Sequence, residues 1–131
     1  MISAKKANYG INNVDNGIVK YIQEINNLGY KTVLSCSGMK MDHIKNKNCP
    51  FICFERPHLS GEEILRFLRF IRDCLYNSNW DVKFISRYVI GYLPGGLDDT
   101  EIKERFQKLV SILKRMIFLR YNYLPQLLYN L

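Results

Sequence analysis

Ten residues, LSCSGMKMDH at positions 34 to 43, bring together a thiol, two hydroxyls, a glycine, a carboxylate and an imidazole. Cys36 and His43 are the types that a thiol–imidazole pair requires, since a nearby base raises the thiolate fraction. Asp42, beside His43, can tune the imidazole or serve in proton transfer. Adjacent residues on an extended segment point apart, so direct pairing of Asp42 with His43 is not implied. No oxyanion donor or orienting third group is evident, and a Cys–His hydrolase is left without a complete set.

The same stretch can bind rather than react. Cys36 closes a strand and Gly38 follows two residues later, where exposed backbone N–H groups can form an anion-binding nest. Ser35 and Ser37 add short-reach hydroxyls. Gly38 allows a positive φ or the close approach of a ligand. The competing reading is structural: a buried cysteine ends a core strand and the serines complete turn hydrogen bonds. Both readings stand on these residues.

A metal site is weighed because Cys36, His43, Cys49, Cys53 and His58 fall within 23 residues. Zinc sites usually pair ligands tightly, as in C-x2-C. Cys49 and Cys53 are separated by Pro50 and a strand whose alternation turns Phe51 and Cys53 to one apolar face. No metal is expected.

The elements that must hold this stretch are legible on either side of it. Asp15 can cap a helix with Ile18, Ile22 and Ile25 on its buried face, and Gly29 supplies a left-handed stop. KTVLSC reads as a strand, and residues 37 to 48 as a polar loop. Pro50 opens a second strand, FICFE. Ser60 and Glu63 form a capping box for a helix whose core face is Ile64, Phe67, Leu68, Ile71, Cys74 and Leu75. NSN breaks that helix. DVKFISRYVIGYLP is extended, either as two short strands or as one long bent one. Asp98 or Asp99 then caps a last helix with Ile102, Phe106, Leu109, Leu113 and Met116 buried. The order α-β-β-α-β-α, with room for one more strand, predicts a two-layer α+β domain with a mainly antiparallel or mixed sheet and helices on one face.

One domain is expected over 1–131: a polar leader at 1–13, a core at 14–116 and an aromatic, apolar tail at 117–131 that docks on the body or on a second subunit as a homodimer contact. Nineteen basic against 12 acidic residues give a net charge of +7, which favours a polyanionic partner such as RNA or DNA. Lys40, Lys45 and Lys47 on the loop, with Arg56, Arg66 and Arg69, are the candidate phosphate contacts. Tyr88 and Tyr92 alternate on a strand and can stack bases, although packing against a helix is the expected fate. No apolar run approaches the ~18 residues that span a bilayer, and no secretion signal is read at the start. No membrane partner is expected, and a cytoplasmic location with reduced cysteines follows.

The order of these motifs resembles the wybutosine-synthesis tRNA methyltransferase family. The segments that carry the resemblance are VDNGIVKYIQEINNLGYKTVLSCSG, PFICFERPHLSGEEILRFL, DVKFISRYVIGYL and LDDTEIKERFQKLVSILKRM, with SCSG the specific short motif. The family's arginine after the glycine is Met39 here, and its Ser-His after the second strand is replaced by Glu55 and Arg56. The resemblance implies methyl transfer from S-adenosylmethionine to a modified guanosine in tRNA. It places Ser35, Cys36, Ser37 and Gly38 in a ligand-binding cleft with Asp42 and His43 at its rim. A non-enzymatic module of the same fold that binds nucleic acid or protein is the alternative.

Overall fold

A computed structural model describes residues 14–43, 49–58 and 61–119. The leader, Lys45, Lys47, Ser60 and the tail beyond residue 119 lie outside the described residues. The elements are α1 (Val19–Asn27), β1 (Thr32–Cys36), β2 (Phe51–Glu55), α2 (Gly61–Asn77), β3 (Asp81–Ile85), β4 (Tyr88–Tyr92) and α3 (Asp99–Leu119). The expected α+β architecture is present, and the extended segment after α2 is two strands. Ser86, at φ 51, opens the two-residue turn between them. The last helix runs on through Leu119.

Local chemistry sets the helix ends. Gly29, at φ 104, donates to the Asn26 carbonyl while the Tyr30 N–H reaches back to Ile25, a Schellman ending. Asn79 takes the same role after α2, at φ 65, with Trp80 donating to Leu75. Asp98 and Glu101 exchange side-chain-to-backbone bonds of 2.8 and 3.0 Å, so Asp98 is the cap of α3 and Asp99 is left for another task. The start of α1 departs from expectation. Its N-cap is Ile18, with no side-chain cap, because the Asp15 carboxylate is engaged elsewhere.

The four strands form one antiparallel sheet in the order β1-β2-β4-β3. Ile52, Phe54, Val89 and Gly91 alternate onto the face that the helices cover. A Cβ on Gly91 would meet Leu75 Cδ2 of α2 at 2.5 Å, so glycine lets helix and sheet close up there. The core between the layers is aromatic: Tyr30, Phe54, Phe67, Phe70, Trp80 and Phe106 are buried, each contributing about 1.5–3 kcal/mol by leaving water. Trp80 meets Phe106 edge-on at 4.9 Å and donates Nε1–H to the Arg105 carbonyl. Alternation turns Phe51, Tyr88, Ile90 and Tyr92 to the opposite face, which no described element covers. Tyr88 and Tyr92 therefore do not pack against a helix. No helix among the described residues is long and apolar enough to cross a membrane.

Candidate functional site

The site is built where the chain leaves β1. Cys36 is the last residue of that strand and pairs in register with Phe51, so its side chain lies on the uncovered face of the sheet. Ser35 pairs with Ile52 and turns the other way, into the core, where its Oγ has no hydrogen-bond partner. Strand alternation thus removes Ser35 from the site. Gly38 adopts φ 63, the left-handed conformation that turns the chain out of the sheet.

Beyond Gly38 the loop coils back. The Met39 carbonyl accepts the N–H groups of Asp42 and His43 at 3.1 and 2.9 Å. Asp99, the first residue of α3, accepts those of Lys40 and Met41 at 2.8 and 3.3 Å. Met39 is fully buried and serves as an apolar plug under the loop. Of the two readings of this stretch the structural one fits, since the amides of Ser37 and of residues 39–43 are taken by carboxylates and internal acceptors.

Four of the expected residues converge. His43 Nε2 lies 3.4 Å from the Cys36 sulfur. Ser37, fully buried, donates its hydroxyl to Asp42 Oδ2 at 2.5 Å and accepts the Met39 N–H at 3.1 Å. Asp42 also accepts the Gly17 N–H, at 3.2 and 3.3 Å to its two oxygens. Asp42 and His43 do not pair directly: the carboxylate seats the segment before α1, while the imidazole turns to Cys36.

The partner of His43 is a residue that the sequence reading assigned elsewhere. Asp15 Oδ2 is 2.9 Å from His43 Nε2 and accepts the Ser37 N–H at 2.8 Å. Burial acts to raise the Asp15 pKa, but the Ser37 N–H and the imidazole outweigh it and hold the carboxyl below its ordinary value. Its position 28 residues upstream of His43, at a plausible helix start, gave no local sign of this role. Cys36 and Asp15 both face Nε2, so the arrangement is not a nucleophile–base–orienter relay, in which the two partners engage opposite ring nitrogens.

No family model, curated protein or solved structure matches this chain.

The other expected residues scatter. Cys49 is exposed, and Cys53 sits outward in β2, its thiol pushed up to about 11 by burial and the Glu55 charge. None of the four cysteines is in a disulfide. Lys40 is exposed at the loop. Arg56 sits at the β3–β4 turn, where it donates to the Ser86 carbonyl at 2.8 Å. Arg66 and Arg69 are exposed on α2, which covers the other face of the sheet, and the antiparallel register puts Arg56 and Lys40 towards opposite ends of β2, so these cations do not form one surface.

The uncovered face carries an open groove of about 470 Å³ lined by Leu34, Phe51, Lys83, Ile85, Ile90 and Tyr92, among others. Phe51 and Tyr92 are cross-strand partners, and Lys83 Nζ lies 6.0 Å from the Tyr92 ring centroid. Cys36, in register with Phe51, puts the thiol–imidazole–carboxylate cluster at the β1 end of this row.

Proposed function

We propose that the chain binds single-stranded RNA across the uncovered face of its sheet, in a cytoplasmic setting that keeps the cysteines reduced. The observation that carries this reading is the cross-strand pair Phe51 and Tyr92, side by side in an apolar groove with Lys83 beside them. Unpaired bases stack on such rings at about 1–3 kcal/mol each, and any base has a face to offer. Lys83 within the groove and Arg56 and Arg87 at the hairpin turn supply cations for phosphates, against a net charge of +7. The resemblance to a tRNA-modifying family favours RNA over a protein partner.

S-adenosylmethionine is the donor that the resemblance implies. The amides of Ser37, Lys40 and Met41 are taken by Asp15 and Asp99, and Asp42 adds a further acid. The loop is therefore poorly suited to hold the donor's carboxylate, and no step is derived through it. Calorimetric titration with S-adenosylmethionine decides that point separately.

The RNA reading is tested by fluorescence anisotropy with labelled single-stranded and duplex RNA at about 50 and 200 mM salt. Single strands should bind more tightly, weaken steeply with salt, and lose about 5- to 100-fold in affinity on Tyr92→Ala. Indifference to that substitution, or binding insensitive to salt, sinks the proposal, and the latter outcome turns attention to a protein partner.

A further inference from the structure

We propose that Asp15, Cys36 and His43 form a binding site for a zinc-class divalent metal ion with one coordination position left open. The site is independent of whether the sheet binds RNA.

The three potential ligand atoms, Asp15 Oδ2, Cys36 Sγ and His43 Nε2, all lie within 4.8 Å of one another. His43 Nε2 stands 2.9 Å from Asp15 Oδ2 and 3.4 Å from Cys36 Sγ. Ligands held at about 2.0–2.3 Å around one tetrahedral ion stand about 3.3–3.6 Å apart, so small side-chain shifts suffice to admit it. Three potential ligand atoms, a thiol sulfur, an imidazole nitrogen and a carboxylate oxygen, point at one place. A shared cation satisfies all three at once.

The ligand set selects the ion. A thiolate and an imidazole beside one carboxylate suit zinc, cobalt or nickel, whereas magnesium and calcium take oxygen ligands. Cys36 binds as the thiolate, so loading releases its proton to solvent.

The surroundings are those of a held site. Asp15 is fixed by the Ser37 N–H. The loop that carries His43 is held by its backbone N–H on the Met39 carbonyl. The neighbouring Asp42 is seated by Gly17 and Ser37. The bond from Ser37 to Asp15 is an outer hydrogen bond of the kind that orients a metal ligand. Cys36 is buried, while the His43 and Asp15 side chains keep 21% and 23% of their exposure, which leaves a side open to water. Three protein ligands and an accessible fourth position are the arrangement of catalytic rather than structural zinc. The ligands come from the segment ahead of α1, the end of β1 and the loop after it, so the ion also ties three parts of the chain together.

The test is titration of chelator-treated, reduced full-length protein with cobalt(II). About one equivalent should bind, giving the near-ultraviolet thiolate-to-cobalt charge-transfer band and the visible bands of a tetrahedral ion. Zinc should displace it and raise the melting temperature. Cys36→Ser should abolish the charge-transfer band, His43→Gln and Asp15→Asn should each weaken binding at least about tenfold, and His58→Gln should leave all of it unchanged. Because a variant can fail for want of folding, the wild-type protein alone is decisive. Binding without a thiolate band, or none at about 100 µM cobalt, overturns the proposal, as does full binding by variants whose circular dichroism is native.

Discussion

The carboxylate of Asp15 lies 2.9 Å from Nε2 of His43, and the same oxygen accepts the Ser37 N–H at 2.8 Å. One atom thus joins the segment before the first helix to the loop after the first strand. That loop is also clamped from the far side by Asp99, at Lys40 and Met41.

The Asp15 contacts make a pH signature. The folded pKa lies below the ordinary 3.8, so their contribution to stability is complete above the unfolded value and is lost as pH falls through the folded one. With chelator present, Asp15→Asn should cost about 1 kcal/mol near neutral pH. Thermal melts should show that gap closing only below about pH 4. A gap that persists undiminished to about pH 2.5 would assign the loss to something other than the charge.

Gly17 is where the Asp42 seat is tightest. A Cβ there would stand 2.8 Å from Asp42 Oδ2 and 2.5 Å from the Met39 sulfur. Met39 is flexible, but Asp42 is held by the Gly17 N–H and the Ser37 hydroxyl, so it yields only by breaking those bonds. Gly17→Ala should destabilise by about 1–2 kcal/mol in urea unfolding. Amide exchange at residues 39–43 should quicken as well. Wild-type exchange rates in that loop would show that Asp42 does not hold it.

The thiols should separate by reactivity. Cys49 is exposed, Cys74 is fully buried, and Cys53 is pushed up to about 11. Alkylation of the native protein near pH 8, followed by peptide mass mapping, should label Cys49 about 100-fold faster than Cys53, with Cys74 unlabelled until denaturant is added. Comparable rates at Cys49 and Cys53 would refute the burial of the latter thiol.

Much of the fold was legible because its signals are local. Ile18, Ile22 and Ile25 repeat at helical spacing, Gly29 fits a left-handed stop, and an aspartate at 98 or 99 fits a helix cap whatever the rest of the chain does. Phe70 was missed as a core residue, because a helix packed against both a sheet and a second helix buries a wider stripe than one face predicts. Cys36 at the end of β1 and the loop residues Ser37, Asp42 and His43 were found from their types and their place at a strand end.

By itself the sequence determined which segments are helices and strands, and that a thiol, an imidazole and an acid lie near one strand end. Propensity, capping and alternation act over a few residues, and they need no knowledge of the fold. Only the tertiary structure decided which acid meets the imidazole, because Asp15 and His43 are joined through the packing of α1 against β1. It also decided that Ser35 faces the core while Cys36 faces out, since sheet register fixes the sides of a strand only once its neighbours are in place.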